Sequence, residues 1–529
     1  MKMRLKTVFA STALLASLGG SPAATAASPE PFDLILRGGM VYTGAATPFE
    51  GDVAISGARI MAVAPHIDRP ALRVIDARGL VVAPGFIDPH THADAALTAR
   101  DPAARLVLPF LTQGVTTAFI GVDGWGGADL PKTLATEAAS GIGINAAAYV
   151  GLGAVRSQVV GAADRAASSQ EMAAMSTLVA NAMCAGALGL STGLFYAPQS
   201  FASRAEVITL AQAAARKGGL YDSHIRDESS YSIGLIGAID EALDIGRQAH
   251  IPVHIAHIKA LGVDVQGKAP DVIARIEAAQ KEGLDVTADQ YPWSASGTQL
   301  SAALIPRWAQ DGGRNAMLAR FGDAATLARL RPEIEENLRK RGGAAAILIT
   351  AGPPDAQGKT LERIAKDRGL SAVDATVALL SQREISIASF NQSEADIAAF
   401  MTRPWVVTSS DASQGHPRYY ASFARAYATY VREKKVIDLQ SFIERSTVRT
   451  AHIFGLQDRG ELKAGAFADV IVFDAARFAP RADYAQPTIF ATGMRDVLVN
   501  GSLAIDGGEI TGRAAGQAVL RSPKQGQCP

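Results

Sequence analysis

The segment Pro84-Gly85-Phe86-Ile87-Asp88-Pro89-His90-Thr91-His92 is an apolar strand that ends in two histidines separated by one residue. Side chains at positions i and i+2 of an extended chain point to the same side, so both imidazoles can reach one metal ion. A histidine pair of this kind is by itself more often packed or exposed than ligating. The function therefore depends on what the rest of the chain adds to this segment.

The chain that follows this segment alternates apolar strands with helix-length stretches, a pattern typical of βαβ units and a parallel sheet. Eight candidate strands lie at residues 80–88, 116–122, 144–152, 187–192, 219–224, 252–257, 285–290 and 406–410. Eight is the number that closes a (β/α)8 TIM barrel, which we predict for residues 81–456. Residues 292–404 are far too many for a βα loop, so we expect a lid-like insertion before strand eight.

Both ends of the chain carry short apolar runs separated by turn signals, a texture that indicates antiparallel strands. The runs occupy residues 32–80 and 457–520. Two β-rich ends of a chain commonly pair, so we predict that they form a small discontinuous β-sandwich domain beside the barrel. The fold class of the whole chain is then α/β.

The first 26 residues have the features of an export signal. Lys2, Arg4 and Lys6 precede an apolar run, and Ala24-Thr25-Ala26 supplies small residues for cleavage. The apolar run is shorter than the ~20 residues that span a bilayer. We therefore predict a soluble protein that is periplasmic or secreted after removal of residues 1–26.

The composition excludes several classes of function. Lys plus Arg and Asp plus Glu both number 51, so no basic surface indicates a nucleic-acid partner. With 48% hydrophobic and 19% charged residues, the chain can bury a large core. Cys184 and Cys528 are too few for a disulfide framework. Because they lie far apart in sequence, we expect them to be packing residues rather than a bridge.

Further metal-binding side chains follow at or just after the predicted ends of strands five, six and eight. They are His224 at strand five, His254 and His257 at strand six, and Asp411 after strand eight. The carboxyl ends of the strands form the active-site face of a barrel. We therefore expect these side chains to meet the histidine pair of strand one.

With these residues the chain resembles the metal-dependent amidohydrolase superfamily and, within it, the N-acyl-D-amino-acid deacylases (D-aminoacylases), from about residue 32 to 514. The superfamily resemblance rests on the strand-end residues above and on Gly465-Ala-Phe-Ala-Asp469. The narrower one rests on Leu111-Thr-Gln-Gly114, Gly189-Leu-Ser-Thr-Gly-Leu-Phe-Tyr196, His257-Ile-Lys259, Ala288-Asp-Gln-Tyr291 and His416-Pro-Arg418.

The resemblance implies a site for one or two zinc ions. Its implied ligands are His90, His92, His224, His257 and Asp411, and Asp411 would also be the general base and acid. The family's His-x-Lys pattern selects His257 over His254. Where the family has a metal-binding Cys in Gly-Asn-Cys-Gly, this chain reads Gly121-Val-Asp123-Gly124. A carboxylate can ligate or bridge zinc, so Asp123 is a sixth candidate ligand.

The implied reaction is hydrolysis of the amide bond of N-acyl amino acids, of the D series on family likeness alone. Lys259, Tyr291 and Arg418 match the family's binding residues for the substrate carboxylate, and Arg226 is a further candidate. Tyr196 is a candidate for the acyl or side-chain pocket. The chain departs from the family at Gly151-Leu152-Gly153, where Gly-His is common, and at Ser296-Gly297-Thr298, where Ser-Ser-Thr is common.

Two alternatives stay open. One is another amide hydrolase of the superfamily, acting on a dipeptide, a cyclic amide or a bulky aryl or acyl amide. Strand four, Ala187-Leu-Gly-Leu-Ser-Thr-Gly193, lacks the bridging lysine typical of hydantoinases, which disfavours the cyclic amides. The other is a non-catalytic metal-binding barrel, which the intact ligand set disfavours.

Overall fold

The computed structural model describes residues 30–522 together with Met1, Thr7 and Cys528. The predicted export signal, residues 1–26, therefore lies almost entirely outside the described residues. Within the described part, no helix has both the length and the apolar character needed to cross a membrane.

The described chain contains 21 strands. They are β1 Phe32–Val41, β2 Phe49–Ser56, β3 Arg59–Ala64, β4 Ala71–Asp76, β5 Val81–Pro84, β6 Phe86–Asp88, β7 Val115–Ile120, β8 Asn145–Ala148, β9 Val150–Gly151, β10 Gly189–Gly193, β11 Leu220–His224, β12 Val253–Ile255, β13 Val286–Gln290, β14 Ala295–Gln299, β15 Ile347–Ala351, β16 Ser386–Phe390, β17 Val406–Thr408, β18 Val470–Phe473, β19 Met494–Val499, β20 Ser502–Asp506 and β21 Glu509–Ile510.

Helices connect most of the barrel strands and form much of the insertion. They are α1 Asp94–Leu97, α2 Pro102–Arg105, α3 Leu108–Leu111, α4 Leu130–Ala139, α5 Leu152–Val159, α6 Ser169–Cys184, α7 Arg204–Ala215, α8 Gly234–Ala249, α9 Ala269–Lys281, α10 Leu300–Leu304, α11 Gly313–Gly322, α12 Ala324–Lys340, α13 Leu361–Arg368, α14 Ala372–Gln382, α15 Glu394–Met401, α16 Arg418–Arg425, α17 Leu439–Ser446 and α18 Val448–Ile453. A π-helix, Ala426–Glu433, extends α16.

Strands from the two ends of the chain form one nine-stranded sheet. Its order is β21-β20-β19-β18-β5-β1-β2-β3, and β4 pairs with β1. The junction between the two chain ends is the antiparallel pair of β5 and β18. Arg73 on β4 donates two hydrogen bonds to Asp506 on β20. Distant strands of this sheet therefore approach each other around a shared apolar core.

The eight barrel strands pair in parallel, in the order β6-β7-β8 and β9-β10-β11-β12-β13-β17. Strands β8 and β9 are two parts of one strand interrupted at Tyr149. Between strands one and eight, the Asp411 N–H donates to the His90 carbonyl at 2.9 Å, and the His92 N–H donates to the Ala412 carbonyl at 2.9 Å. The predicted TIM barrel is confirmed.

The predicted first strand, residues 80–88, is two strands instead of one. β5 belongs to the nine-stranded sheet and β6 to the barrel, and Gly85 lies between them. A Cβ atom on Gly85 would lie 2.1 Å from the Thr116 Oγ1. The absence of a side chain here lets the chain pass from one domain to the other against strand two.

The insertion before strand eight has a core of its own. Its three strands form an antiparallel sheet in the order β14-β16-β15. Helices α10 to α14 surround buried apolar side chains that include Leu304, Leu330, Ile349 and Leu379. The insertion therefore folds around its own core and contributes residues to the mouth of the barrel.

The expectation that the two cysteines are unpaired is wrong. Cys184 at the end of α6 and Cys528 form a disulfide, with Cα atoms 5.6 Å apart and a sequence separation of 344. The C-terminal tail runs across the barrel, where Gly516, Val519 and Arg521 donate main-chain hydrogen bonds to Ile142, Ala146 and Gly186 respectively. The tail therefore brings Cys528 next to Cys184, a contact that their separation in sequence did not indicate.

Candidate metal-dependent active site

The six predicted metal ligands converge at the carboxyl ends of the barrel strands. Three overlapping groups of potential ligand atoms lie within 4.8 Å of one another: His90, His92 and Asp123; His90, His257 and Asp411; and Asp123, His224 and His257. Asp411 joins them through its Oδ1, which lies 3.2 Å from the His92 Nε2. All six side chains therefore face one small volume.

Asp123 occupies the centre of this group. Its Oδ1 lies 3.4 Å from the His90 Nε2, 3.6 Å from the His224 Nδ1 and 3.3 Å from the His257 Nε2. Its Oδ2 lies 3.5 Å from the His92 Nε2. The carboxylate that replaces the family's cysteine thus contacts all four predicted histidine ligands.

The buried polar atoms of this cluster fit a metal ion. Both ring nitrogens of His90, the Oδ1 of Asp123 and the Nε2 of His224 are buried without a hydrogen-bond partner. Buried polar atoms in proteins are nearly always satisfied, so a cluster of unsatisfied ones at one site fits a role in catalysis or in binding water or an ion. Two donors ~2.1 Å from one tetrahedral ion lie roughly 3.4 Å apart, which matches the spacings around Asp123. Imidazole and carboxylate are both ligands of zinc.

Three of the six candidate ligands have left-handed backbones. The φ angles are 52° at Asp123, 35° at His257 and 47° at Asp411. A positive φ costs free energy in a residue with a side chain, and such residues cluster at active sites. The buried Gln199 holds the first of them, because its Nε2 donates to the Asp123 carbonyl at 2.8 Å. Its Oε1 accepts from the Gly193 N–H at 2.7 Å.

The two carboxylates of the cluster are anionic at neutral pH. Burial would raise the pKa of Asp123, but His90, His224 and His257 hold it well below its usual range. Burial would likewise raise the pKa of Asp411, but the Arg418 guanidinium holds it below its usual range. Ionised carboxylates are the form that binds a cation or accepts a proton.

A lysine and an arginine flank the predicted substrate tyrosine. The Lys259 Nζ lies 5.6 Å and the Arg418 guanidinium 5.1 Å from the centre of the Tyr291 ring. Each cation also has a carboxylate partner: Lys259 donates to Glu228 at 2.6 Å, and Arg418 donates to Asp411 at 2.6 Å. The structure therefore brings the three predicted carboxylate-binding residues together beside the metal cluster.

Glu228 is a site residue that the sequence reasoning missed. Its carboxylate pairs with Lys259 and lies 3.3 Å from the His257 Nδ1 and 3.7 Å from the His224 Nε2. Burial would raise the pKa of Glu228, but His224 and Lys259 lower it to about 2. Its position four residues after His224 was the available signal.

Arg226 lies away from the metal cluster. Its guanidinium pairs with Glu241 of α8 at 2.9 Å and donates to the Ser200 and Ala202 carbonyls, each at 3.0 Å. Tyr196, by contrast, lines the cavity beside Asp123 and contacts the His224 ring at 4.8 Å between centroids. Trp293 donates to the Ser422 Oγ within a buried cluster.

His254 also lies outside the groups of candidate ligands. Its ring nitrogens contact the Thr287 Oγ1 at 2.8 Å and the Asp289 Oδ2 at 3.0 Å. The two histidines, three residues apart, thus have different neighbours. Of the two, only His257 faces Asp123.

The metal cluster opens into a narrow cavity between two larger clefts. The cavity itself has a volume of about 20 Å³, close to the space of one water molecule. A cleft of about 650 Å³ adjoins it across Phe195 and Tyr231. A second cleft, of about 360 Å³, adjoins it across Tyr196, Gly297 and Thr298.

Comparison with known proteins defines the class to which this fold and site belong. The sequence profile of the amidohydrolase family matches residues 73–505. The chain therefore belongs to the amidohydrolase family, and the predicted enzyme class is confirmed.

Proteins that share both its length and its fold narrow the comparison further. The chain is 33% identical to the D-aminoacylase of Alcaligenes xylosoxydans xylosoxydans, over 93% of this chain and 98% of that protein. It is 32% identical to the N-acyl-D-glutamate deacylase of the same organism, over 89% of this chain and 93% of that protein. The predicted resemblance to N-acyl-D-amino-acid deacylases is confirmed.

Solved structures agree with these similarities. A crystal structure of D-aminoacylase superposes with a TM-score of 0.79 at 31% identity, covering 93% of this chain and 100% of that one. The N-acyl-D-glutamate deacylase of Bordetella bronchiseptica, bound to zinc and a phosphonate inhibitor, also gives 0.79, at 30% identity with the same coverage. Another D-aminoacylase structure is described as having a binuclear metal centre.

Proposed function

We propose that this protein is a zinc-dependent hydrolase that cleaves the amide bond of N-acyl-D-amino acids to a free amino acid and a carboxylic acid. The observation that carries the proposal is the convergence of four histidines and two carboxylates on one cavity beside Lys259, Tyr291 and Arg418. Relatives of this length and similarity that act on N-acyl-D-amino acids support the substrate class.

The residues that would hold zinc are those whose potential ligand atoms lie within 4.8 Å of one another in the cluster. They are His90, His92, Asp123, His224, His257 and Asp411. Of these, His90, Asp123 and His224 have buried donor atoms without a hydrogen-bond partner. Bound zinc polarises an amide carbonyl and lowers the pKa of a coordinated water molecule. The cluster offers enough donors for one or two ions.

Asp411 is the proposed general base and acid. Its Oδ1 faces the metal cluster, and its Oδ2 accepts a hydrogen bond from Arg418. As an anion it can take a proton from the attacking water and return it to the leaving amine. If Arg418 moves to the substrate carboxylate, the basicity of Asp411 rises because the guanidinium that lowers its pKa has left.

The substrate carboxylate is proposed to bind between Lys259 and Arg418, with the Tyr291 hydroxyl as a further donor. The guanidinium is suited to a carboxylate through its planar pair of N–H donors, and the ammonium through its charge. Binding there would place the amide beside Asp411, because Arg418 contacts that carboxylate directly.

Export is part of the proposal. The N-terminal sequence carries the pattern of a signal peptide, and the Cys184–Cys528 disulfide suits an oxidising compartment. Mass spectrometry of the protein recovered from the periplasm or medium would show residue 27 or a close neighbour as the first residue. Recovery of an intact N-terminus would contradict export.

The direct test is release of free amino acid by the zinc-loaded protein from paired N-acetyl-D- and N-acetyl-L-amino acids. We expect turnover of the D series only, abolished by a chelator and restored by zinc. No turnover of either series would overturn the substrate proposal, and chelator-resistant turnover would overturn the role of the metal.

A further inference from the structure

Two cations face the narrow cavity, and only one of them has a carboxylate partner. Lys259 donates to Glu228 at 2.6 Å. Arg341, the residue that follows α12 in the insertion, also lines the cavity and is only 2% exposed. Within residues 30–522, no carboxylate lies within 4.0 Å of its guanidinium, and its Nε and Nη1 are buried without a hydrogen-bond partner.

Among the buried arginines that the structure describes, Arg341 is the one whose guanidinium has neither a carboxylate partner nor a main-chain carbonyl partner. Arg156, Arg418 and Arg459 each pair with a carboxylate. Arg105 and Arg445 donate to main-chain carbonyls. Burial of an unpaired charge is costly, so proteins pair such charges or keep them for a ligand.

The side chain of Arg341 is not needed to end its helix. The helix end is already satisfied, because the Arg339 and Leu338 carbonyls accept from the N–H groups of Gly342 at 2.9 Å and Gly343 at 2.8 Å. The guanidinium instead lies 5.7 Å from the centre of the Tyr231 ring, at the boundary between the cavity and the large cleft. Burial raises the pKa of the Tyr231 hydroxyl, and the Arg341 guanidinium beside it opposes that rise.

Two more cations of the insertion surround the same boundary. The Lys340 Nζ lies 5.2 Å from the Tyr231 ring centre, and the Arg307 guanidinium lies 4.0 Å from the Phe195 ring centre. Neither has a carboxylate within 4.0 Å in the described chain. The insertion therefore places three cations without a close carboxylate where the cavity meets the large cleft, whose lining also includes Glu333 and Glu336.

We propose that Arg341 binds a second anionic group of the substrate, the carboxylate of an acidic side chain, beyond the one held by Lys259 and Arg418. The proposal rests on the proposed function and narrows it to N-acyl derivatives of D-glutamate or D-aspartate. Arg341 is then a specificity-determining residue supplied by the insertion, with Lys340 and Arg307 adding to the positive field.

The test compares N-acetyl-D-glutamate with its neutral isostere N-acetyl-D-glutamine. For the wild-type protein we expect a kcat/KM ratio on the order of tenfold or more in favour of the glutamate, as for a charge-assisted hydrogen bond. Arg341→Gln should reduce that ratio at least tenfold, and Arg341→Lys should restore part of it. The matched control is Arg339→Gln, which removes an equal charge from an exposed position on α12.

Three outcomes are distinguishable. A wild-type ratio near one, or an equal loss on both substrates in Arg341→Gln, would overturn the role of Arg341 and leave the proposed function standing. No turnover of any N-acyl-D-amino acid would overturn the proposed function. In that case neither ligand is consumed, and calorimetric titration can measure the affinity of both ligands for the wild-type protein and for Arg341→Gln. Tighter binding of the glutamate derivative by the wild-type protein alone would support the role of Arg341, and equal affinities would overturn it.

Discussion

The barrel and the insertion approach one cavity with side chains of opposite character. The barrel presents histidines and carboxylates at strand ends. Three of them have positive φ angles, and hydrogen bonds to their main-chain atoms help to hold these angles. The insertion presents Arg307, Lys340 and Arg341, long side chains without carboxylate partners in the described chain. The difference indicates a division of work in which the barrel fixes the reacting atoms and the insertion selects the substrate by charge.

Removal of the proposed base should have the largest effect. Asp411→Asn keeps the shape of the side chain but loses its basicity, so kcat should fall on the order of 10³-fold. Steady-state kinetics with metal analysis would check this, and Asp68→Asn, at a carboxylate that is 96% exposed, is the matched control. A loss below tenfold at full metal content would assign the proton transfer to another group.

Removal of the central carboxylate should affect metal binding more than folding. Asp123→Ala takes away the oxygen nearest to His90, His224 and His257, and we expect zinc to bind at least tenfold more weakly. Competition with a chromophoric chelator would measure the affinity. Asp123→Cys, which restores the family's ligand type, should recover binding. Unchanged affinity in Asp123→Ala would show that Asp123 is not a ligand.

A change in the insertion should act on substrate binding instead. A Cβ atom on Gly297 of β14 would lie 2.8 Å from the Arg418 Nη2. Gly297→Ser should therefore displace the Arg418 guanidinium and raise KM roughly tenfold, with a smaller change in kcat. A roughly tenfold fall in kcat with unchanged KM would contradict the proposal that the insertion acts on substrate binding and the barrel on the reaction.

The smallest effect should come from loss of the Gln199 side-chain amide, which bonds to the main chain of Asp123 and Gly193 beside the metal cluster. Gln199→Leu leaves the Asp123 carbonyl and the Gly193 N–H without their partner. Each unsatisfied buried group costs about 1–3 kcal/mol, and we expect Tm to fall by roughly 2–5 °C. Differential scanning calorimetry would measure the shift, and an unchanged Tm would show that water replaces the amide.

The sequence predicted the barrel and its ligand cluster because both depend on local patterns. Apolar runs mark strands, and the residue after each run lies at the carboxyl end by the geometry of the fold. His224 and Asp411 were found in this way although 187 positions separate them, as their numbers show. The split of the first strand at Gly85 was missed, although the Pro84-Gly85 pair inside the apolar run is a turn signal.

Contacts that depend on partners from elsewhere in the chain could not be predicted. Arg226 follows His224 by two residues, yet Glu241 of α8 holds its side chain away from the cluster. Arg341 stands in the run Arg339-Lys340-Arg341, where nothing in the sequence separates the exposed arginine from the buried one. Spacing fixes where a main-chain atom lies, but only packing decides which neighbour a long side chain meets.

The pairing of β5 with β18 has a consequence for the order in which the protein can assemble during synthesis. The first five strands emerge from the ribosome early, but the strand that covers the free edge of β5 begins at Val470, late in the chain. Until then that edge has unpaired main-chain groups, which is a hazard for association with other nascent chains. A product truncated before Val470 would keep this edge permanently exposed. The nine-stranded sheet can therefore form only after translation is complete.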